Sequence, residues 1–308
     1  MRPADPSISP TALSRILDGL EVSLPTTRGA LSEVTGLGRS TVNRAVSACL
    51  THGILVPETG HLLVPRNNFL IPVVTVTREH GTIRILDMDL TPVATATVKL
   101  SPASTPDESA HILARRLLTL LRGFSEKSVT APILVTDETL PARILRDELG
   151  HSLGQAPLAV MKHAAAVARA ITRSPLPTEA KSLLFASIGE GTHACLLLKN
   201  EDGLWHPSPL GDSLTPTLLR TLRTLEPSSE GVRRGTAVFL TDLCRFLCPD
   251  LIYVEDGRRI LPDGEFYKPL LPDGVDILIR HTKDDLTMSE LGGALTGRRM
   301  LWDKILFG

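Results

Sequence analysis

The residues whose types and spacing best fit a chemical task lie in the segment from Gly38 to Leu50, which reads GRSTVNRAVSACL. Its apolar residues recur at the spacing of a single helix face, and this pattern predicts an amphipathic helix. Arginine can read guanine in the major groove of DNA, asparagine can read adenine, and serine or threonine can bind phosphates. The polar face of the predicted helix carries residues of these types: Arg39, Ser40, Thr41, Asn43, Arg44 and Ser47. They predict contacts with DNA.

A shorter helix is predicted just before that segment. Ala30, Leu31 and Val34 fit its apolar face, and Gly36 is expected to end it. Two helices joined by a tight glycine-containing turn are typical of a helix-turn-helix. We expect Arg28 to add to the DNA contacts of the recognition helix.

The sequence also predicts the elements that hold this pair of helices. Ser9 and Pro10 are typical of a helix start, and the apolar spacing from Leu13 to Leu20 predicts a helix that packs under the pair. After the recognition helix, residues 54–56 and 61–64 predict a β-hairpin, which would be the wing of a winged helix-turn-helix. We expect His61, on this wing, to lie near the DNA backbone. The alternative is a winged helix that contacts protein instead of DNA.

The charge of this region is close to balanced. Residues 1–66 hold six Arg against five Asp plus Glu, a margin of one. The basic footprint expected of a nucleic-acid binder is therefore local to the two helices and weak for the region as a whole. Because one such unit would bind poorly, we expect at least a homodimer on two half-sites of a double-stranded DNA operator.

The composition of the whole chain is that of an ordinary globular protein. It has 308 residues, 42% of them hydrophobic and 22% charged, and a formal net charge of −1. We find no apolar run that approaches a membrane span and no signal-peptide pattern near the N-terminus. The four cysteines are sparse, and Cys244 and Cys248 are expected to lie on a buried helix face. We therefore expect a cytoplasmic protein without membrane contact, bound metal or cofactor.

After a short linker with two prolines, strands begin to alternate with helices, which predicts an α/β domain. Three strands between Val73 and Leu100 come first, and two more, over residues 182–188 and 193–199, open the second half. The segment from Trp205 to Pro216 is expected to be a loop, and helices are predicted over residues 217–225 and 235–247. The predicted boundary falls near residue 70, which gives a DNA-binding domain over 1–70 and an α/β domain over 71–308.

Three motifs and the order of elements resemble the ROK family, which is named for repressors, open reading frames and sugar kinases. The motifs are LSEVTGLGRSTVNRAVSACLTHGIL near the start, CPDLIYVEDG, and the closing SELGGALTGRRML. The resemblance covers nearly the whole chain. It implies an N-terminal winged helix-turn-helix followed by a two-lobed actin-like (ribonuclease H-like) ATPase/sugar kinase fold. Lobe one would span about residues 71–160 plus the C-terminal helix 288–306, and lobe two about 161–287.

In the family's kinases, two glycine-rich hairpins hold the ATP phosphates and an aspartate in an Asn-Asp-Ala-Asn motif is the general base. The resemblance places the first hairpin at residues 77–81, which read TREHG and lack the expected aspartate and paired glycines. It places Lys162 at the sugar-binding asparagine and His163 at the base. The second hairpin falls on residues 189–193, where Glu190 would repel a phosphate.

Other expected positions are also changed. Glu255 and Asp256 stand where the family has paired glycines beside adenosine, and residues 211–215 lack the zinc-binding histidine. Because the base, both hairpins and the zinc site are lost together, we expect no catalytic residue and no kinase activity. The resemblance then implies a DNA-binding transcriptional regulator, in this family most commonly a repressor. A ROK sugar kinase with an appended DNA-binding domain is the alternative, and a pure dimerisation module that still binds DNA is another.

The substitutions in the former substrate cleft share a chemical character. They replace acidic and glycine residues by basic groups and histidines, a set that favours an anion such as a sugar phosphate or carboxylate. The candidate effector-binding residues are Arg78, His80, Lys162, His163, His193 and Asp212. The alternative is a disused cleft in which Glu79, Glu190 and Asp212 neutralise the basic groups.

Overall fold

A computed structural model describes residues 8–137, 140–157, 159–173, 176, 179–188, 193–201, 203–208, 214, 218, 229–257, 259–282 and 286–307. Within these ranges, no helix is both long and apolar enough to cross a membrane. The described residues form three sheets: a two-stranded hairpin near the N-terminus and two larger mixed sheets.

The N-terminal unit is a winged helix-turn-helix. Ser9 caps its first helix through the amide of Ala12, and Thr27 caps the second through the amide of Ala30. Gly36 ends the second helix in the left-handed conformation, at φ 64°. The elements are α1 (Pro10–Ser23), α2 (Arg28–Thr35), α3 (Arg39–Thr51), β1 (Leu55–Pro57) and β2 (Leu63–Pro65).

The predicted apolar face of α2 was wrong at one position. Val34 is 53% exposed, whereas Thr35 is buried next to Leu31. The reason is Gly19 of α1, because a β-carbon there would lie 2.6 Å from Thr35 Cγ2. The bare backbone at Gly19 lets α1 and α2 approach closely on the side of Thr35, and this rotates Val34 outward.

The first large sheet has three antiparallel strands followed by two parallel ones, in the order β5-β4-β3-β7-β8. Residues of β3 alternate between two cores, so that Val73 packs toward α1 and the C-terminal helix while Val74 packs toward α4 and α5. Its elements are β3 (Phe69–Val76), β4 (His80–Leu86), β5 (Pro92–Lys99), α4 (Pro106–Leu121), β6 (Ser128–Val129), β7 (Ile133–Thr136), α5 (Ala142–Leu153) and β8 (Ala159–Lys162).

The second large sheet repeats this arrangement, in the order β11-β10-β9-β12-β13. Here too a three-stranded antiparallel part is followed by two parallel strands. The repetition is what a two-lobed fold with a hairpin at the start of each lobe requires. Its elements are α6 (His163–Ile171), β9 (Ser182–Ile188), β10 (His193–Lys199), β11 (Trp205–Pro207), α7 (Ser229–Leu247), β12 (Leu251–Asp256), α8 (Gly264–Tyr267), β13 (Asp276–His281) and α9 (Met288–Phe307).

Some predicted elements differ from the structure. β11 lies in the segment that was expected to be a loop, because its residues 205–207 extend the sheet beside β10. Helix α7 begins at Ser229 instead of residue 235, and Cys248 is exposed beyond its end, whereas Cys244 is buried as expected. Most of the helix predicted over residues 217–225 lies outside the described residues.

The C-terminal helix α9 packs between the first sheet and α6 because its contact face is built of glycines. A β-carbon on Gly297 would lie 2.7 Å from Ile71 Cγ2, and one on Gly293 would lie 3.0 Å from both Val73 Cγ1 and Val135 Cγ2. A β-carbon on Gly292 would overlap the carbonyl oxygen of Ala166 in α6. The GGALTG motif therefore sets how closely α9 can approach the sheet and α6.

Candidate functional site

The exposed face of α3 displays the predicted DNA-binding side chains. Val42, Ala45, Val46 and Cys49 are fully buried beneath the helix and fix its orientation. Thr41 is half-buried near the first turn. The exposed residues of the helix are Arg39, Ser40, Asn43, Arg44, Ser47 and Thr51. Two guanidinium groups, an amide and three hydroxyls thus share one solvent-facing surface, which suits base edges and phosphates.

The Arg28 side chain makes a contact within the protein, with Asn43 of α3. Its Nη1 donates to the backbone oxygen of Asn43 at 3.0 Å and to Asn43 Oδ1 at 3.4 Å. Arg28 therefore ties the start of α2 to the middle of α3, and it orients the Asn43 amide.

The wing lies beside the same surface. Thr26 exchanges two backbone hydrogen bonds with Leu63, at 3.1 and 2.7 Å, so that the chain before α2 is attached to β2. His61 is exposed at the tip of the hairpin, with a left-handed φ of 63°. His61 therefore lies on a short turn that is attached to the helix pair. This position suits a contact with the DNA backbone.

The α/β domain holds α1 through a set of charged residues that the sequence analysis did not single out. The Glu21 carboxylate accepts hydrogen bonds from Arg169 Nη2 at 2.8 Å and from Arg173 Nη2 at 2.7 Å, and its side chain has no exposed surface. Arg299 of α9 donates to Asp18 at 2.6 Å and to Ser14 at 2.8 Å. The sequence places Ser14, Asp18 and Glu21 at i, i+4 and i+7 on a stripe of α1 beside its apolar face, and this spacing alone does not show that Glu21 is buried.

The structure brings two of the predicted effector residues, His163 and His193, into contact. His163 Nδ1 lies 2.6 Å from His193 Nε2, and both rings are buried. Desolvation, followed by the neighbouring His193, lowers the pKa of His163 well below 6.5, so His163 is neutral at physiological pH. Lys162, next in the chain, donates from Nζ to the carbonyl oxygens of Asp137 at 3.0 Å and Leu140 at 2.8 Å.

Two other candidate effector residues follow β3, at the sheet edge where β7 and β8 also end. Arg78 and His80 are on the β3–β4 turn, where the Thr77 hydroxyl accepts from the His80 amide at 3.1 Å and donates to the His80 carbonyl oxygen. Thr77 therefore closes this hairpin with its own side chain. Asp212 and residues 189–192 of the second hairpin lie outside the described residues.

At the C-terminal ends of β12 and β13, carboxylates bind the protein's own backbone. Glu255 is fully buried, and its Oε1 accepts from the amide of Met288, the first residue of α9, at 2.8 Å. Asp256 accepts from the amide of Leu261 at 2.7 Å. Glu290 caps the same end of α9 through the amide of Thr287 and pairs with Arg84 of the first sheet at 3.3 Å. These contacts join both lobes at the positions where the resemblance places adenosine.

Burial of Glu255 predicts a specific pH dependence of stability. Desolvation is the main reason that the pKa of Glu255 is raised to about 8 from an ordinary value of 4.5. A carboxyl whose pKa is raised by folding stabilises the fold below pH 4.5, and this contribution is lost as the pH rises to about 8. Glu255→Gln keeps an oxygen for the Met288 amide and cannot ionise. We therefore expect this variant to match the wild type near pH 5 and to be more stable, by on the order of a few kcal/mol, near pH 8.5.

Chemical denaturation of both proteins across this pH range measures the effect. The exposed Glu126→Gln variant is the matched control, because it removes the same charge from the surface. An equal stability difference between Glu255→Gln and the wild type at both ends of the range would contradict the assignment.

The described part of the chain holds no group of three or more His, Cys, Asp or Glu side chains placed to bind a metal ion. His163 and His193 meet as a pair, and Asp256 lies 3.2 Å from His281 Nδ1 as a separate pair.

Comparison with known proteins gives structural matches only. No protein-family model matches the sequence, and no curated protein matches it either. A ROK family transcriptional regulator, a homologue of the E. coli MLC protein, superposes with a TM-score of 0.58 at 11% identity, covering 95% of this chain and 98% of that one. An inorganic polyphosphate/ATP-glucomannokinase from Arthrobacter sp. strain KM superposes with a TM-score of 0.51 at 14% identity, covering 76% of this chain and 100% of that one.

These matches establish the fold. The chain shares the fold of the matched regulator over nearly its whole length, with a winged helix-turn-helix before a two-lobed actin-like α/β domain. That α/β domain also has the fold of a sugar kinase, so the function has to be argued from the residues.

Proposed function

We propose that this chain, built on the ROK fold, is a sequence-specific DNA-binding transcriptional regulator that acts as a repressor. The proposal divides it into a DNA-binding domain over residues 1–70 and a ROK-like domain over residues 71–308. The observation that carries the proposal is the exposed face of α3, where Arg39, Asn43 and Arg44 lie over a fully buried apolar stripe. A surface that is fixed in orientation and rich in bidentate donors suits major-groove recognition.

We further propose that the ROK-like domain is not a kinase. Glu255 supports this, because a buried carboxylate that binds the Met288 amide stands where the kinases need bare glycines. Thr77 supports it as well. The resemblance places here an aspartate that faces a metal-bound phosphate in the kinases, whereas the Thr77 hydroxyl bonds to the His80 backbone and closes the β3–β4 hairpin. Both substitutions place side-chain atoms where an ATP-binding site requires room and positive potential.

The remaining roles of the ROK-like domain are dimerisation and effector sensing in the cytoplasm. One recognition helix offers few charged contacts, and a two-fold dimer on two half-sites doubles them. We propose that the effector is a small anionic or sugar-derived molecule. The supporting feature is the buried contact between His163 and His193, next to Lys162 in the chain, because a ligand that separates the two rings would find ring N–H and N groups to bond. Arg78 and His80 would contribute from the β3–β4 turn.

Selection from a random pool of duplex DNA tests the proposed function. The full-length chain should enrich one sequence with two related half-sites, separated by one helical turn or a multiple of it. Recovery of a pool with no shared sequence after several rounds would contradict sequence-specific binding.

A further inference from the structure

We propose that helix α6 is a mechanical link between the His163–His193 contact and the DNA-binding unit, so that separating His163 from His193 changes how α1 is held. The proposal deepens the proposed function and rests on it for the role of α1–α3 in DNA binding. It is carried by contacts at both ends of one short helix.

The N-terminal end of α6 is attached to both lobes. His163, its first residue, lies 2.6 Å from His193 on β10 of the second sheet. Lys162, the N-cap, donates to two carbonyl oxygens in the segment after β7 of the first sheet. A ligand that takes over the hydrogen bond of either imidazole would therefore release the start of α6 from one lobe.

The C-terminal end of α6 is attached to α1. Arg169, near its end, and Arg173, just beyond it, both bind the Glu21 carboxylate, which is completely buried. At 1.5 Å of rise per residue, His163 and Arg173 are about 15 Å apart along the helix axis. A buried, hydrogen-bonded ion pair tolerates little change in geometry, because displacement leaves a charge without its partner.

Helix α9 adds to this link on the same face of α1. The backbone of Gly292 packs directly on the Ala166 carbonyl, so that α6 cannot shift without moving α9. Arg299 of α9 binds Asp18 and Ser14. The two helices thus hold α1 at Ser14, Asp18 and Glu21, which are positions i, i+4 and i+7 of one stripe.

These contacts form a continuous path from the His163–His193 contact to the recognition helix α3. The apolar face of α1 packs in one core with α3 through Leu13, Ile16, Leu17 and Leu20. Interiors packed at this density transmit small displacements instead of absorbing them. A change at His163 would therefore reach α3 through α6, the Glu21 ion pairs and α1.

Hydrogen exchange of the full-length chain tests the link without DNA or a ligand. In His163→Leu, amide exchange in α1 should be at least about threefold faster than in the wild type, while α4 keeps its protection. In a chain that carries Arg169→Gln, Arg173→Gln and Arg299→Gln, adding His163→Leu should leave α1 exchange unchanged, since the polar contacts of both α6 and α9 with α1 are already removed. His111→Leu, on the exposed face of α4, is the matched control.

Two results would overturn the proposal. One is a His163→Leu protein in which α6 exchanges faster and α1 does not. The other is an equal acceleration of α1 with the arginines present or replaced. If His163→Leu does not fold, the polar His163→Gln variant gives the same comparison. Because no DNA is present, either outcome leaves the DNA-binding assignment to be judged by its own experiment.

Discussion

Replacing Gly292 by alanine should lower the free energy of unfolding by about 3 kcal/mol or more, at the upper end of the range for overpacked cores. The added β-carbon would overlap the carbonyl oxygen of Ala166 and come within 2.5 Å of its carbonyl carbon. Both obstacles are backbone atoms, so no side-chain rotation can relieve the overlap. Helices α6 and α9 would have to separate, and the contacts of α9 with α1 and the first sheet would weaken with them.

Thermal and urea denaturation measure this effect. Gly123→Ala is the matched control, because a β-carbon at Gly123 meets nothing within 4 Å and its φ is not left-handed. A Gly292→Ala protein as stable as the Gly123→Ala control would show that α6 and α9 are not packed backbone to backbone as described.

Replacing Arg39 and Arg44 together by alanine should weaken binding to the selected operator by at least about 30-fold. Each arginine that contacts a base edge contributes about 1–3 kcal/mol, and two such losses add to about 2 kcal/mol at the least. Both side chains are exposed on α3, above a stripe of buried residues that the substitutions leave intact. The fold should therefore be unaffected.

Fluorescence anisotropy with a labelled operator gives the affinity, and circular dichroism checks the fold. The matched control is Arg115→Ala with Arg116→Ala, which removes two exposed positive charges from α4 in the ROK-like domain. If the control weakens binding as much as the α3 variant does, the effect comes from net charge and not from the recognition helix.

Local patterns predicted much of the fold. The apolar spacing of α3 and the strands that open each lobe have the structure their sequences indicated. Each depends on residues within a few positions of one another, so that their spacing carries the information. The prediction that Val34 lies on the apolar face of α2 was wrong, because the side of α2 that is buried depends on Gly19 of another helix.

Contacts between distant segments could not be predicted in the same way. Glu21 pairs with Arg169 across 148 positions, and Arg84 pairs with Glu290 across 206. Nothing in the local pattern of Glu21 distinguishes a buried carboxylate from a solvated one, since burial is imposed by α6 and α9. The candidate cleft residues were also placed only by resemblance, and only the structure showed that His163 and His193 touch while Lys162 binds carbonyl oxygens.

The ratio of the affinities for operator and for scrambled DNA tests most directly whether this chain is a sequence-specific DNA-binding protein. The full-length chain is titrated against the selected operator and against a scrambled duplex of the same length and composition, at about 0.15 M salt, where surface electrostatics are screened beyond about 8 Å. The proposed function predicts binding to the operator that is tighter by at least about 10³-fold. Equal affinity for the two duplexes would mean that α3 does not read sequence, and would contradict the assignment of this chain as a transcriptional regulator.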